Sequence, residues 1–297
     1  MLQVHIGIVY YHNKNNWLFR ELERAIRENG CETIYIPVRS ITSNIMEEES
    51  FASGSLKLID EVDAILLRTY GFGTTDQITF RVSFFEHLEL CGIPVINNSY
   101  AFRRAKDKYA TLYTLKKAGI RVPRTVVTES LNAAVRAVRT FGSVVIKPLI
   151  GARGLGVIHT DNFDLAYRVL KTLYTLGLVL YVQEYVEKPD RDIRAFVVGD
   201  EVVASMYRYS PPGEWKTNIS IGGKAEAVKL EEELEELAVK AAKAIGLDYA
   251  GVDIIETSEG PMVIEVNAAP SWHGLQKVSK VDIADKIIKL VISKIKK

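Results

Sequence analysis

The sequence has few cysteines, almost no net charge and no long apolar run. Cys31 and Cys91 are far apart in the 297 residues, which excludes a disulfide framework or a cysteine metal site, and both are expected to be buried free thiols. Its 38 basic and 37 acidic residues leave a charge of +1, which does not indicate nucleic acid as a partner. No run reaches the roughly 18 apolar residues of a membrane span. No signal-peptide pattern opens the chain. We therefore expect a cytoplasmic protein without a membrane partner.

The first hundred residues alternate between strand and helix patterns. The runs "LQVHIGIVYY", "CETIYIPV", "VDAILLR" and "IPVINN" predict strands, and the stretches between them favour helices, which together indicate a parallel α/β sheet. A helix is predicted from Ser99 through Leu115. Further on, the patterns predict strands on both sides of the loop "IGARG", a meander that turns at Gly199–Asp200, and a hairpin over Ala250–Asn267.

Two carboxylates are predicted to face each other in this last hairpin. If Ser258–Gly260 form a three-residue loop, Asp253 pairs with Glu265, and Asn267 lies two residues further on the same face. Close carboxylates repel each other, and a Mg(II) ion, which prefers oxygen ligands, would relieve that repulsion. The alternative is that both carboxylates are exposed and pair with lysines. The register and the break at "NAAP" favour the metal.

A second motif joins a lysine to a glycine-rich loop. In "VVIKPLIGARGLGV", Lys147 ends an apolar strand and Gly151, Gly154 and Gly156 follow, so backbone N–H groups can approach a phosphate closely. The missing "GK[ST]" excludes a P-loop, and the missing helix excludes a dinucleotide fingerprint. Such turns also occur in hairpins that bind nothing. An unpaired lysine in an apolar run is costly, so we expect an anionic partner for Lys147.

Together these motifs make the chain resemble the ATP-grasp superfamily, and within it the RimK-type glutamate ligases. The stretches that carry the resemblance are "KPLIGARGLGV", "LYVQEYVEKPDRDIRAFVVGDEVVASMYR", "GVDIIETSEGPMVIEVNAAP" and "KVDIADKI". It implies a protein of the α/β class with the ATP-grasp fold, in which the individual lobes are of the α+β type. These are an N-terminal parallel domain at 1–100, a central lid lobe at 101–185 and a C-terminal antiparallel lobe at 186–297. It also implies ATP and Mg(II) as cofactors, with Mn(II) as an alternative metal.

The resemblance assigns roles to individual residues. Those expected to bind ATP are Lys108 (with Lys106 as the runner-up), Lys147, Gly151, Gly154, Gly156, Gln183, Glu184, Tyr185, Val186, Asp192 and Arg194. Those expected to be catalytic are Arg208, Lys216 and Asn218, and the expected metal ligands are Asp253, Glu265 and Asn267. Simpler interpretations remain for three sites: Glu184 as a strand cap, Asp192 with Arg194 as a surface ion pair, and Arg208 as an outward-facing strand residue.

The chain departs from the family pattern where the acceptor should approach. Lys216 replaces a usual arginine and loses its bidentate fork, and "SIGG" and "AAPSWHG" are unusual. Trp272 is expected either to pack or to offer a stacking platform to an aromatic acceptor. In the N-terminal stretch "RTYGFGTTDQITFR", Arg68 and Arg81 are candidate acceptor ligands, and surface salt bridges are the alternative.

The reaction implied by the resemblance is ADP-forming carboxylate–amine ligation through an acyl phosphate. The amine is expected to be L-glutamate and the acceptor a peptide end or a coenzyme tail, by family analogy. Three alternatives stay open: a ligase acting on an amino-group carrier protein in lysine or arginine biosynthesis, a phosphotransferase, and an ATP-binding regulator that does not ligate. Family members often form dimers or tetramers, so a homo-oligomer is a further expectation.

Overall fold

A computed structural model of the chain describes residues 3–46, 50–151, 155–215, 217 and 222–295. Its first hundred residues contain a four-stranded parallel sheet in the order β2-β1-β6-β7 and a small antiparallel sheet in the order β3-β4-β5. In chain order, the elements are β1 (His5–Tyr10), α1 (Trp17–Glu28), β2 (Glu32–Pro37), β3 (Ile41–Asn44), β4 (Ser50–Ser53), β5 (Leu56–Lys57), α2 (Leu58–Glu61), β6 (Ala64–Leu66), α3 (Thr75–Leu90) and β7 (Val95–Ile96). The predicted parallel sheet is confirmed. The small sheet was not predicted, because its strands are short and largely polar.

The helix predicted from Ser99 through Leu115 is in fact two helices, α4 (Ser99–Lys106) and α5 (Lys108–Lys117). Asp107 separates them with extended backbone angles, and its carboxylate accepts hydrogen bonds from the N–H groups of Tyr109 and Ala110. Asp107 is therefore the N-cap of α5. The break places Lys106 at the end of one helix and Lys108 at the start of the next.

The middle of the chain forms an antiparallel sheet in the order β10-β9-β11-β8. Its elements are β8 (Thr125–Thr128), α6 (Leu131–Phe141), β9 (Val144–Lys147), β10 (Ile158–Thr160), α7 (Phe163–Thr175) and β11 (Leu180–Glu184). β9 and β10 pair on either side of the glycine loop, as predicted. Helices α6 and α7 pack on one face, against Val144, Ile146 and Val182. Because side chains alternate, Lys147 and Gln183 face the other side.

The last third forms a five-stranded antiparallel sheet in the order β14-β13-β12-β15-β16. Its elements are β12 (Arg191–Val198), β13 (Glu201–Tyr209), β14 (Lys224–Ala227), α8 (Glu232–Ile245), β15 (Tyr249–Ile255), β16 (Met262–Asn267), α9 (His273–Gln276) and α10 (Ile283–Lys294). The turn between β12 and β13 falls at Gly199–Asp200, as predicted. Helix α8 packs on β12, β13 and β15, while α10 contacts α1 and β6 as well as β12.

The first and last thirds of the chain share their hydrophobic cores. One core joins Val9 and Ile65 to Ile193 and Val252, whereas the central sheet has a core of its own. The exact limits of the lobes at residues 100 and 185 stay a prediction. No helix among the described residues is both long and apolar enough to cross a membrane. Cys31 is buried, but Cys91 is exposed because it caps the surface end of α3, so the prediction for Cys91 is wrong.

Candidate active site

The polar residues of the C-terminal sheet gather on one face, at one end. On β12, Asp192 and Arg194 alternate with Ile193 and Ala195, which belong to the hydrophobic core. The strand register places Arg208 opposite Asp192. It also places the Asp253–Glu265 pair beside Arg194, with Asn267 two residues further along. Pleating alone therefore brings six predicted site residues to one patch.

The hairpin pairs Asp253 with Glu265 as predicted, but its tip differs from the prediction. Beyond this pair the register shifts by one residue, so that Ile254 pairs with Val263 and Ile264 is the extra residue of a bulge. The turn is consequently longer than the three residues expected. Gly260 within it has a φ of 104°, which favours glycine. Because the bulge lies towards the tip, the two carboxylates keep their register.

Asp253 lies at the centre of a chain of buried ion pairs. Arg194 donates to both oxygens of Asp253, with Nη2 2.9 Å from Oδ2, and Nη2 of Arg208 lies 3.1 Å from the same oxygen. Arg208 also donates to both oxygens of Asp192, at 2.6 and 2.9 Å, and the Thr217 hydroxyl donates to Asp192 as well. The surface ion pair between Asp192 and Arg194 is therefore a wrong alternative, as is an outward-facing Arg208.

These contacts set the charge of the cluster. Burial would raise the pKa of Asp253, but Arg194 and Arg208 outweigh that effect and lower the pKa below its usual range. Burial would likewise lower the pKa of Arg208, and the attraction of Asp253 and Asp192 outweighs it and raises the pKa instead. Asp253 and Arg208 thus stay charged at neutral pH.

Glu265 and Asn267 present oxygen atoms that suit a metal ion. None of the hydrogen bonds and ion pairs among the described residues involves either side chain, whereas Asp253 is already engaged by two arginines. Across the same residues, no group of three His, Cys, Asp or Glu side chains could hold a metal alone. A carboxylate and an amide nevertheless fit Mg(II), which usually takes one or two carboxylates together with substrate phosphates.

A pocket between α4–α5 and β16 brings two lysines to these oxygens. Its lining includes Lys106, Lys108, Gly151, Glu265 and Asn267. The Lys108 ammonium donates to the Gly151 carbonyl at 3.2 Å. Burial lowers the pKa of both lysines, and Glu265 opposes the shift in each. The pocket thus sets ammonium groups beside a carboxylate that no described side chain pairs with, an arrangement that suits a metal–phosphate ligand.

Lys147 approaches the same region from the central sheet. Its ammonium donates to Oε1 of Gln183 at 2.6 Å, and the Gln183 amide nitrogen donates to Thr125 Oγ1 at 2.9 Å. Burial lowers the pKa of Lys147 to about 8, against the opposing attraction of Glu265. The expected anionic partner is thus not a protein side chain in the part of the chain described. A neutral amide holds the ammonium instead.

The hinge residues Gln183–Val186 end β11 and lead towards the C-terminal sheet. The Glu184 carboxylate accepts hydrogen bonds from the backbone N–H and the guanidinium of Arg124, while the Glu184 N–H donates to the Arg124 carbonyl at 2.9 Å. The Tyr185 N–H donates to the carbonyl of Ser143 at 2.9 Å. The side chain of Glu184 thus ties the hinge to the segment before β8.

Comparison with known proteins identifies the family. The RimK-like ATP-grasp domain family matches residues 105–291. The chain is 41% identical over 245 residues to the tetrahydromethanopterin:alpha-L-glutamate ligase of Methanocaldococcus jannaschii, which covers 80% of this chain and 82% of the relative. It is 34% identical over 292 residues to the protein of the same name in Methanosarcina acetivorans, covering 88% and 90%. This chain belongs to the RimK-like ATP-grasp family.

A solved structure of the ATP-grasp ligase PsnB, complexed with a variant of its minimal precursor, Mg and ADP, has the same fold. The TM-score is 0.76 at 21% identity, and the match covers 100% of both chains. The predicted ATP-grasp architecture is therefore confirmed. As a member of the RimK-like ATP-grasp family, the chain is an ADP-forming carboxylate–amine ligase that uses ATP.

In this RimK-like chain, the two arginines predicted to bind the acceptor are engaged elsewhere. Arg68 donates from Nη1 to the Tyr249 hydroxyl at 2.9 Å and from Nη2 to the Pro270 carbonyl at 2.9 Å. Arg81 donates to the carbonyls of Tyr70 and Phe72 at 2.8 and 2.9 Å. Both are buried and neither pairs with a described carboxylate, so the alternative of surface salt bridges is also wrong. The second half of their stretch is helical, since α3 begins at Thr75.

Trp272 is also not a platform for an acceptor. Its side chain is fully buried, with the Phe196 ring 5.9 Å and the Trp17 ring 6.2 Å from its own, both edge-on. The guanidinium of Arg68 lies 5.4 Å from its ring centroid. Packing is the correct interpretation, because Trp272 belongs to a hydrophobic core that also contains residues of α9 and α10.

Three predicted site residues, Gly154, Lys216 and Asn218, lie outside the described residues. Gly151 lines the pocket, and Gly156 has a φ of 73°, which favours glycine.

Several contributing residues were not predicted from the sequence. Thr217 contacts Asp192, and His159 stacks on Tyr185 with a centroid distance of 3.8 Å, while the Trp215 ring meets His159 edge-on at 5.4 Å. Asn97, fully buried after β7, was missed as well. The one available signal was an amide following an apolar strand, which is too common to identify a role.

Proposed function

We propose that this chain adds L-glutamate to a carboxylate at the end of a coenzyme tail or peptide. The observation that carries the proposal is the pocket in which Lys106, Lys108 and Gly151 line the same space as Glu265 and Asn267, whose side chains no described residue engages. Two relatives named tetrahydromethanopterin:alpha-L-glutamate ligase support glutamate as the amine and a coenzyme as the acceptor. The PsnB structure with its precursor supports a peptide as the other acceptor class.

In the proposed complex, the ATP phosphates lie among Lys108, Lys147 and the glycine loop, and the adenine lies at the hinge Gln183–Val186. Lys147 is held by a neutral amide, so its charge is available to a phosphate. Glu265 and Asn267 would hold Mg(II), and Asp253, the third predicted ligand, would join them only by exchanging an arginine contact for the metal. The bound metal supplies a Lewis acid that neutralises phosphate oxygens. Mn(II) is proposed to substitute for it.

Lys106 is proposed to receive the acceptor carboxylate, since Arg68 and Arg81 are engaged by backbone carbonyls. Lys106 lines the pocket together with Glu265. Among the described residues its ammonium has no hydrogen-bond or ion-pair partner, and it lies 5.4 Å from the Phe102 ring centroid. Lys108, in contrast, is directed to the glycine-loop carbonyls. A carboxylate at Lys106 would pair with an ammonium whose pKa is lowered by desolvation.

The reaction then proceeds in two steps. An oxygen of the acceptor carboxylate attacks the γ-phosphorus of ATP, the bond to ADP breaks, and an acyl phosphate forms. The amine of glutamate attacks the acyl carbon, phosphate leaves with the oxygen that bridged carbon and phosphorus, and the amine loses one proton. Lys108 and Lys147 stabilise the negative charge that spreads over the transferred phosphoryl group, while Lys106 holds the acceptor carboxylate.

The test is ADP release from ATP and Mg(II), with glutamate and a panel of glutamate-ended peptides and polyglutamylated coenzymes. Mass spectrometry should find an acceptor that gains one glutamyl residue. Glu265→Ala should abolish both signals. Glu259→Ala, at the exposed tip of the same hairpin, should preserve them. ATP binding without extension of any acceptor would favour a regulator, and extension of a carrier protein alone would favour the biosynthetic alternative. ADP release without an added amino acid would favour a phosphotransferase.

The lobe limits at residues 100 and 185, a homo-oligomeric state and a cytoplasmic location remain further predictions. Sedimentation analysis tests the homo-oligomeric state directly.

A further inference from the structure

Two side chains of the N-terminal sheet contact the backbone that follows the proposed metal ligands. Arg68 comes shortly after β6 and Asn97 directly after β7, and these strands are parallel neighbours. Their carboxyl ends therefore meet at one edge of the sheet. The contacted backbone, Ala268–Pro270, begins one residue after Asn267. The contacts thus join distant parts of the chain at the exit of β16.

Asn97 uses both the nitrogen and the oxygen of its side-chain amide to hold the base of the hairpin. Its Nδ2 donates to the carbonyls of Ala268 at 2.7 Å and Tyr249 at 2.8 Å. Its Oδ1 accepts from the N–H groups of Asp248 at 2.7 Å and Tyr249 at 3.0 Å. Tyr249 begins β15 and Ala268 follows β16, so one buried side chain spans both ends of the hairpin.

Arg68 holds the next two carbonyls. Its Nη2 lies 2.9 Å from the Pro270 oxygen and 3.3 Å from the Ala269 oxygen, while Nη1 donates to the Tyr249 hydroxyl. The backbone here also packs tightly. A Cβ atom on Gly251 would lie only 2.8 Å from Cβ of Pro270, so Gly251 permits this close approach.

This support matters because β16 is an edge strand. It pairs with β15 on one side and has no strand on its other side within the described sheet. Its last residue, Asn267, is also the last to pair with β15. An edge strand that ends at a ligand residue needs other contacts to fix the ligand's position.

We infer that Arg68 and Asn97 form a clamp that positions Glu265 and Asn267 and so sets the affinity for the metal ion. The clamp residues touch neither the metal nor the substrate, and they act through the backbone of Ala268–Pro270. The inference rests on the metal site of the proposed function.

Arg81 offers a matched control, since it is also a buried arginine that donates to two backbone carbonyls but none near β16. The variants Arg68→Lys and Arg81→Lys each keep the charge and lose the planar fork. Binding of Mn(II) in the presence of ADP is followed by electron paramagnetic resonance of the free ion, and thermal unfolding verifies that each variant is folded.

Arg68→Lys should weaken Mn(II) binding about tenfold or more, the usual effect of losing a residue that orients a metal ligand. Arg81→Lys should change it by less than about twofold, although both variants lose some stability. Arg68→Gln, which retains one amide donor, is measured in the same way if Arg68→Lys does not fold. Equal losses in the two arginine variants, or no loss in a folded Arg68 variant, overturn the clamp. Absence of Mn(II) binding by the wild-type protein with ADP would instead refute the metal site, and the clamp with it.

Discussion

Four arginines that are buried or nearly so serve this molecule in two different ways. Arg194 and Arg208, in the C-terminal sheet, donate to the carboxylates of Asp192 and Asp253. Arg68 and Arg81, near the N-terminal sheet, donate mainly to backbone carbonyls. The residue type is the same in both pairs, but the partners differ in charge.

The difference separates interactions that depend on pH from interactions that do not. A carboxylate partner can be protonated, and its loss leaves a buried charge of the opposite sign uncompensated. A carbonyl partner does not titrate, and its loss leaves an unpaired dipole, which costs less. The carboxylate pairs are therefore tied to the charge of the proposed metal site, while the carbonyl pairs hold the backbone around it.

Removal of Arg208 should have the largest effect. Arg208→Met leaves the carboxylates of Asp192 and Asp253 with one neighbouring arginine, Arg194, instead of two. We therefore expect a loss of about 3–5 kcal/mol in the free energy of unfolding at pH 7. The loss should shrink towards pH 5, because protonation of one carboxylate relieves the repulsion. Urea unfolding at both pH values measures this. A cost below about 1 kcal/mol at pH 7 would contradict a buried, coupled cluster.

The stability of the wild-type protein at acid pH also tests whether the carboxylate pairs depend on pH. The pKa of Asp253 is lower in the folded protein than in the unfolded chain, where it is about 3.9. The lowered pKa therefore stabilises the fold fully above about pH 5, and this stabilisation is lost as the pH falls through the folded pKa. Urea unfolding curves collected down the acid range should show this loss. Asp253→Asn should flatten the curve of stability against pH, and an unchanged slope in that variant would refute the assignment.

Removal of Arg81 should cost less and show no pH dependence. Arg81→Met leaves the carbonyls of Tyr70 and Phe72 without this donor, for an expected loss of about 1–3 kcal/mol. The same urea measurements at pH 7 and pH 5 should agree, because neither carbonyl titrates. A cost that falls at pH 5 would break the distinction between the two arginine pairs.

Lys147 adds a third kind of cation, half-buried and held by a neutral amide. Because burial lowers its pKa to about 8, the ammonium becomes neutral as the pH rises past that value. We expect kcat/KM for ATP to fall up to about tenfold per pH unit above pH 8, since this parameter reports the free enzyme. Lys147→Arg should remove this fall because arginine stays charged. ADP release across the alkaline range measures both, and an identical fall in the variant would assign it to another group.

Local patterns were enough to predict the strands and the pairing of Asp253 with Glu265. Side chains alternate by two along any strand, so a hairpin with nearly the right turn already places both carboxylates on one face. The bulge at Ile264 did not spoil the prediction because it lies beyond the pair. The break at Asp107 was missed, because an aspartate inside a helical pattern and an aspartate N-cap look alike until the flanking turns are packed.

The sequence by itself determined the order of elements, the glycine loop between paired strands and the carboxylate hairpin, because each depends on contacts between residues close along the chain. The tertiary structure alone decided which partners these long-range polar side chains contact. Arg68 donates to a carbonyl 202 positions away, and Asn97 donates to one 171 positions away. Arg194 pairs with Asp253 on the neighbouring strand and not with Asp192 on its own strand. Such partners follow from how sheets pack against each other, and no periodicity within one segment encodes that arrangement.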